Sequence, residues 1–541
     1  MNKPLLLSLA AATILTSSLN AESMYERIQS MELKMMQMQE ELTTLKAKDA
    51  HEAEEEEEEV TSQEESDDED EADSDTDEEA QDEDESGDDE DEDEDDEESV
   101  EDRLADLEES VTDLNKATNG SHLKFGIDYR FALDNIQYKM ADGSEQGNDA
   151  FMTNRLWINM NWKATDNLSF SGQLAYNKAF GQRSDANSNS ANPGYNFENF
   201  DWIANENAYD DIIRIRSAYF LYRNDTFLGT EIPWTFSIGR RPSTNGHLIN
   251  LRDDDGAASP MGHTINVEFD GISSKFSLED AVGVEGMYMK FCAGRGMSNA
   301  AHKFTATPYA SDIVANPDID LVGLIFVPYD NGQYAIATQY YFAGNLIDQQ
   351  FSSLGVPQDA FDTVGGLHSF TANISANGIG DEWSDYLDDT FFFLSGAMSQ
   401  TDPKDRGAQT GMLGSANSEI GYSVWAGVQM PSIFTEDGRW GLEYNKGSKY
   451  WRSITYAEDT NIGSKIATRG DAYEVYFTEP LIEDILTLQV RATYIDYKYT
   501  GSNGFFGNTT GNAQEITSTM PNGKFYVDTA QDIRFYLRYR Y

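Results

Sequence analysis

Cysteine and histidine are almost absent from the sequence. Its 541 residues include one cysteine, Cys292, and six histidines. A single thiol excludes a disulfide within the chain, and it excludes zinc sites and haem attachments that need cysteine pairs. The histidines are scattered without the spacing of metal ligands. We therefore predict no metal site, no cofactor and no catalytic residue, and we do not expect an enzyme.

Long apolar runs are also lacking. After residue 21, no run approaches the roughly 18 to 20 apolar residues that a membrane-spanning helix needs. Before that point, Lys3 is followed by an apolar stretch at residues 5–15 and by the small-residue sequence SLNA at residues 18–21. This order is typical of a secretory signal peptide, which we place at residues 1–21. If the exported chain spans a membrane, it must do so as a β-barrel.

Basic residues are few. Lysine and arginine together number 38 against 97 aspartates and glutamates, which gives a net charge of -59. This balance argues against nucleic acid as a partner and against binding to anionic membrane surfaces. The excess is greatest at residues 49–99, which contain no lysine or arginine. Self-repulsion predicts a disordered acidic tract there, and we favour a solvated spacer over a loose sink for divalent cations.

Two short heptad patterns flank the acidic tract. Apolar residues alternate at spacings of four and three, as on the contact face of a coiled coil. We predict α-helical coiled-coil segments at residues 22–48 and 100–118, and amphipathic helices packing on a domain are the alternative. The apolar positions are Met24, Ile28, Met31, Met35, Met38, Leu42 and Leu45 in the first segment, and Val100, Leu104, Leu107, Val111 and Leu114 in the second.

From residue 119 the pattern changes to a period of two. Apolar residues at 123, 125, 127, 129, 131 and 133 alternate with mostly polar ones, which is typical of a strand with one apolar and one polar face. We predict an all-β fold for residues 119–541, a transmembrane antiparallel β-barrel of about 16 strands, with a range of 14 to 18. The predicted strands begin near residues 123, 152, 168, 211, 234, 264, 284, 318, 333, 366, 390, 419, 439, 466, 485 and 531.

The connections between these strands alternate in length. The odd-numbered connections run from about 17 to 31 residues and the even-numbered ones from about 4 to 13, whereas a soluble sandwich has no reason for such alternation. Outer-membrane barrels place long loops outside and short turns in the periplasm. The topology therefore places the N-terminal arm and the C-terminus in the periplasm. Residues 533–541 alternate apolar and arginine-rich positions and end on Tyr541, a pattern that resembles the signal read by barrel-assembly machinery.

A barrel of this size leaves an aqueous lumen, so its polar face is the candidate functional surface. We predict a pore wall that attracts anions, with acidic partners that set a transverse field. Simple pairing that stiffens the wall is the alternative. We also expect the loop at residues 243–263, which carries the acidic run 253–255, to fold inward as a constriction. The predicted pore-lining residues are Arg155, Arg214, Arg216, Arg241, Glu443, Glu474, Arg491, Arg534 and Arg538.

Three segments resemble those of an uncharacterised proteobacterial outer-membrane family: GRRPST at residues 239–244, GLEYNKGSKYW at 441–451 and RGDAYEVY at 469–476. The resemblance covers most of the chain after the acidic tract. It implies a signal peptide, a periplasmic coiled coil and a porin-like barrel, and it brings no established substrate or catalytic residue. The long acidic tract departs from the family pattern.

The sequence favours a porin-like channel for passive diffusion of small hydrophilic solutes or ions. A structural anchor that links the barrel to the cell wall through its coiled-coil arm is one alternative. A barrel that sheathes an electron-transfer conduit, with haem supplied by partner proteins, is another. The expected partners are outer-membrane lipid, barrel-assembly machinery and, as in many sixteen-stranded porins, two further copies of the chain.

Overall fold

A computed structural model of the chain describes residues 123–181, 208, 212–241, 245–256, 258–297, 318–351, 357–379, 383–404, 411–455, 458–502 and 512–541. The predicted signal peptide, the two coiled-coil segments and the acidic tract lie outside the described residues. No helix among the described residues is long and apolar enough to cross a membrane.

Sixteen antiparallel strands form a closed barrel, in which each strand pairs with the next and the last pairs with the first. This confirms the predicted fold class and strand number. The strands are β1 Lys124–Met140, β2 Glu145–Lys163, β3 Leu168–Ala179, β4 Arg214–Asn224, β5 Trp234–Arg241, β6 Phe269–Ser277, β7 Tyr288–Met297, β8 Ile319–Asp330, β9 Tyr334–Phe351, β10 Pro357–Asn377, β11 Phe391–Pro403, β12 Ile420–Pro431, β13 Arg439–Gly447, β14 Gly470–Ile482, β15 Leu486–Tyr497 and β16 Val527–Arg540.

The barrel is apolar outside and polar inside. On β1, Phe125, Ile127 and Tyr129 are exposed, whereas Asp128 and Arg130 between them are buried. A soluble protein has the opposite distribution, because water leaves apolar side chains inside and charged ones outside. An apolar outer face around a polar interior is the arrangement of outer-membrane barrels, whose strands contact lipid.

Two connections are shorter than the predicted loops. Residues 141–144 join β1 to β2, and β10 begins at Pro357 soon after β9 ends at Phe351, where we had expected long loops. The ladders continue through the stretches that we had interpreted as loop, as the pairing of Lys139 with Glu145 shows. Paired strands satisfy backbone N–H and C=O groups wherever the chain runs antiparallel, so a ladder need not end at the edge of the lipid. The rule that every odd connection exceeds every even one was therefore wrong.

Two strands begin later than predicted because the preceding residues fold into the barrel. The strand expected from residue 264 begins at Phe269, and the strand expected from residue 466 begins at Gly470. We call residues 245–268 the first inner segment and residues 448–469 the second inner segment. They meet in a short parallel pairing of Ile265–Asn266 with Ile454–Thr455. Of the loop that we expected to fold inward, the described residues 245–256 and 258–263 include Leu248, Ile249 and His263, whose side chains are buried.

The inner segments pack on one side of the lumen. Ile265, Val267 and Ile454 form an apolar core with residues of β8, β9 and β10, which include Leu321 and Tyr341. A second core places Leu248, Ile249 and Ile466 against Phe393 of β11 and Trp425 of β12. The side from β8 to β12 therefore holds two apolar cores, although hydroxyl groups such as those of Ser395 and Ser423 are also buried there. Charged and polar side chains occupy the opposite side, from β13 round to β4.

Candidate functional site: a charged layer inside the barrel

Three arginines stand side by side on the inner wall. Arg130 of β1 lies opposite Arg155 of β2 in one ladder and opposite Arg538 of β16 in the other. All three are buried. Like charges directly opposite one another in a sheet repel, and the repulsion grows when water is excluded. The row therefore depends on carboxylates brought from elsewhere.

Asp459 of the second inner segment supplies the central counter-charge. Its carboxylate accepts hydrogen bonds from both terminal nitrogens of Arg130, with Nη2 to Oδ1 at 2.7 Å, and from Nη1 of Arg155 at 2.7 Å. Its backbone oxygen accepts from Nη1 of Arg534 at 2.7 Å and from Nη2 of Arg491 at 3.2 Å. One residue thus joins four arginines from four adjacent strands, β15, β16, β1 and β2.

The ionisation of Asp459 follows from these contacts. Burial alone would raise the pKa of its carboxyl, but the charges of Arg130 and Arg155 outweigh burial and hold the pKa well below its usual range. The neighbouring Glu458 is different, because burial raises the pKa of its carboxyl despite hydrogen bonds from hydroxyl groups. Asp459 is therefore an anion over the whole physiological pH range.

Carboxylates of the wall complete the layer. Asp128 accepts from Nη2 of Arg538 at 2.5 Å and lies 3.4 Å from Nη2 of Arg155. Asp134 accepts from Nε of Arg534 at 2.5 Å. We define the charged layer as Asp459 with these two aspartates and the five arginines of β1, β2, β15 and β16. Its members are Asp128, Arg130, Asp134, Arg155, Asp459, Arg491, Arg534 and Arg538.

Beside the layer, two glutamates repeat the arrangement with opposite charge. Glu443 of β13 and Glu474 of β14 are direct register partners. Lys465 of the second inner segment lies 2.6 Å from Glu443 and 2.5 Å from Glu474. Arg252 of the first inner segment approaches Glu474 at 3.3 Å. The inner segments therefore bring an anion to the arginines and cations to the glutamates.

A buried histidine fixes the first inner segment. The ring nitrogens of His263 lie 2.8 Å from Oγ of Ser395 and 3.0 Å from Oγ of Ser423, and two tryptophan rings flank the imidazole. Burial lowers the pKa of His263 to about 3, so the ring is neutral. Neutral imidazole between hydroxyls serves packing here. Among the described residues, no group of three or more histidines, cysteines or acids could hold a metal ion.

Open space lies on both sides of the charged layer. A polar cavity of about 460 Å³ extends from the layer toward Tyr541, and Asn159, Asn161 and Arg216 line it together with Asp128 and Arg538 of the layer. On the other side, Arg130, Arg155, Arg534 and Asp459 border a crevice of about 10 Å³. The layer is therefore the partition between the two spaces.

The nine residues predicted to line a pore are placed as follows. Arg155, Arg491, Arg534 and Arg538 belong to the layer, and Glu443 and Glu474 form the neighbouring cluster. Arg216 is buried beside the larger cavity, 3.1 Å from Glu268. Arg241 ends β5, as predicted, with its guanidinium over the ring of Tyr219. Arg214 begins β4 and contacts the backbone oxygen of Ile212 at 3.4 Å, apart from both clusters.

Sequence reasoning missed six residues that the site depends on. Asp128, Arg130 and Asp134 stand on the polar face of β1 and could have been selected by the same alternation as Arg155. Arg252, Asp459 and Lys465 lie in the inner segments, where no periodic pattern marks a side chain as buried. The acidic run at residues 253–255 was the only sequence feature that indicated charged residues inside the barrel, and it lies in the first inner segment alone.

Solved structures of several outer-membrane proteins are similar to the chain. OmpT of Vibrio cholerae is 12% identical, with 77% of this chain and 97% of that chain covered and a TM-score of 0.40. OmpF of Salmonella typhi in complex with daunomycin is 11% identical, with 78% and 98% covered and a TM-score of 0.41. OprB of Pseudomonas putida is 10% identical, with 81% and 97% covered and a TM-score of 0.43.

Comparison with curated proteins finds no match. A family model matches residues 145–541, nearly the whole barrel. This match confirms the resemblance to an uncharacterised porin-like family that the segments around Arg241, Glu443 and Glu474 indicated. The chain belongs to the family described as "Protein of unknown function (DUF3373)".

Proposed function

We propose that the protein is an outer-membrane channel through which small hydrophilic solutes or ions diffuse passively. The observation that carries this proposal is the open space beside the charged layer: a cavity of about 460 Å³ on the side toward Tyr541 and, on the other side, a crevice of about 10 Å³, roughly the size of one water molecule. Polar walls replace part of the hydration shell of a solute, as channel linings do. An interior built only for rigidity has no need of a cavity of about 460 Å³.

The charged layer sets the size limit of this route. Between the cavity toward Tyr541 and the opposite crevice of about 10 Å³, a solute meets buried, ion-paired side chains. The proposed route is therefore narrow, and we expect a unit conductance well below that of an open sixteen-stranded porin. The end of the barrel that carries Tyr541 faces the periplasm in this proposal, with the N-terminal arm on the same side.

Planar-bilayer recording of the refolded full chain tests the proposal. Discrete conductance steps are expected, and their complete absence from correctly folded barrels would contradict it. Asn161→Trp, which fills part of the larger cavity, should lower the unit conductance at least about twofold. Asp166→Trp is the matched control, because Asp166 lies on the short turn between β2 and β3 and is almost fully exposed. That variant should conduct like the unmodified protein.

The assembly partners follow from the same proposal. The exposed apolar face of the strands contacts outer-membrane lipid, and β16 with its terminal aromatic residue is the segment that barrel-assembly machinery recognises. We further propose a homotrimer, for which native mass determination in mild detergent is the test. Contact with the cell wall and the electron-conduit alternative rest on sequence alone.

A further inference from the structure

Asp459 is held in an unusual backbone conformation. Glu458 and Asp459 both have left-handed dihedral angles, with φ of 44° and 60°, and both are buried. Two consecutive residues with side chains in this region carry a conformational cost that the surrounding contacts must offset. The bend directs the carboxylate of Asp459 and its backbone oxygen toward the same group of arginines.

The contacts of Asp459 have the form of oxyanion recognition. Three oxygens of this one residue, Oδ1, Oδ2 and the backbone oxygen, accept hydrogen bonds from four guanidinium groups. Guanidinium forks match carboxylate, phosphate and sulfate because each offers several acceptor oxygens at short spacing. The four arginines, Arg130, Arg155, Arg491 and Arg534, are hereafter the arginine cage.

The cage has donors that Asp459 does not use. The Nε and Nη1 atoms of Arg491 and the Nε atom of Arg155 are buried and have no hydrogen-bond partner among the described residues. Arg491 itself is 1% exposed. Buried N–H groups of a guanidinium are rarely left without an acceptor. Unused donors on a buried cation point to an additional acceptor, and an anion offers the most favourable one.

We propose that the arginine cage is a binding site for small oxyanions in transit, and that Asp459 is a tethered anion that occupies the site between passages. This inference rests on the proposed channel function and deepens it by naming the solute class, inorganic phosphate and comparable oxyanions. A solute anion displaces the carboxylate of Asp459, and the strained bend at residues 458–459 swings it aside. Return of the carboxylate then releases the solute toward the larger cavity.

Among the three carboxylates of the charged layer, Asp459 is the one that a solute anion can displace. Asp128 and Asp134 belong to strand β1, whose pairing with β2 and β16 holds their backbone in place, whereas Asp459 lies in the second inner segment. Both terminal nitrogens of Arg130 donate to Asp459. Neutralising Asp459 therefore leaves the cage with one more net positive charge beside the proposed route. Anion selectivity should increase.

The test is the reversal potential of the full-length channel in a potassium chloride gradient, with inorganic phosphate as the probe ligand. Asp459→Asn keeps the shape of the side chain, and asparagine tolerates the left-handed backbone. The ratio of chloride to potassium permeability should rise at least about fivefold, the effect of one unit charge acting at about 4 Å in water. Phosphate should block the chloride current of Asp459→Asn at concentrations at least about tenfold lower than for the unmodified protein.

Control variants separate this inference from the channel proposal. Asp471→Asn removes a carboxylate that pairs with Lys446, whose side chain is exposed, and it should leave selectivity unchanged. Asp459→Glu keeps the charge and should retain near-normal selectivity. If the unmodified protein conducts but Asp459→Asn changes neither the permeability ratio nor the block by phosphate, the oxyanion site is refuted while the channel stands. If neither Asp459→Asn nor Asp459→Gly folds into a heat-modifiable barrel, Asp459 is structural and the inference is overturned.

Discussion

Replacing Lys465 by methionine tests how strongly the inner segments are tied to the wall. The ammonium group lies 2.6 Å from Glu443 and 2.5 Å from Glu474, and the side chains of all three residues are at most 3% exposed. The two glutamates are direct partners across adjacent strands. Without the lysine, two buried carboxylates face one another with a methionine side chain between them.

The expected loss of stability is about 3 to 5 kcal/mol, the cost of removing one partner from a buried ion pair. We expect a loss toward the lower end of this range, because each glutamate keeps one other partner. Arg252 still lies 3.3 Å from Glu474, and Nε1 of Trp425 still donates to Glu443 at 2.9 Å. The loss of stability should come from buried carboxylates that no longer have a cationic partner. Combining Lys465→Met with Glu443→Gln should therefore recover at least half of the lost free energy of unfolding.

Urea unfolding of the barrel in lipid vesicles, followed by tryptophan fluorescence, measures these differences. The ring of Trp425 lies close to Lys465 and therefore reports on the same region. Lys446→Met is the matched control, because Lys446 is 63% exposed and pairs with Asp471 at 3.0 Å. That change should shift the free energy of unfolding by no more than about 0.5 kcal/mol. A loss below about 1 kcal/mol for Lys465→Met, or no recovery in the double variant, would refute the reasoning.

Two further predictions concern the packing of the inner segments. The pKa of His263 lies at about 3, below the value of an unfolded histidine, so the unfolded chain binds more protons and stability falls as the pH drops below about 6.5. His263→Gln should flatten the dependence of the urea midpoint on pH between about 6.5 and 4, and an unchanged slope would contradict this assignment. A Cβ atom at Gly421 would lie 2.3 Å from the backbone nitrogen of Trp451. Gly421→Ala should therefore displace the second inner segment and lower the free energy of unfolding by about 1 to 3 kcal/mol, and a protease-resistance pattern identical to that of the unmodified protein would argue against this placement.

Much of the barrel was predictable because lipid and water impose opposite demands on the two faces of each strand. The alternation from Leu123 to Leu133 identified the apolar outer face of β1, and the structure pairs this strand with the last one, as expected. The strand beginnings at Leu168, Trp234 and Arg439 agree with the predicted positions to the residue. The predicted ends of strands were wrong where backbone pairing, rather than contact with lipid, decides how far a strand extends. The ladder of β1 and β2 continues past the predicted loop because hydrogen bonding between backbones does not depend on lipid.

The site was predictable only on the wall. The alternation along a strand predicts which side chains point inward, and Arg155, Arg534 and Arg538, which it selected, are buried. It carries no information about what fills the lumen. Asp459 and Lys465 lie in a segment where apolar and polar residues do not alternate. Burial there is decided by contacts with strands that are far away in the sequence. The hypothesis of a transverse field stays a prediction, and it was made without the charges that the inner segments bring to Glu443 and Glu474.

Under the proposed channel function, the balance of charges in the lumen links stability to transport. Arginines that lined an open pore would be solvated, and their spacing would matter only for the solute. Here the guanidinium groups of the layer are buried, and the protein itself supplies the carboxylate of Asp459, which lies at a strained bend. A solute that reaches the arginine cage competes with a built-in ligand of the same chemistry. In the proposed mechanism, selectivity among anions follows from how well each one replaces the carboxylate of Asp459.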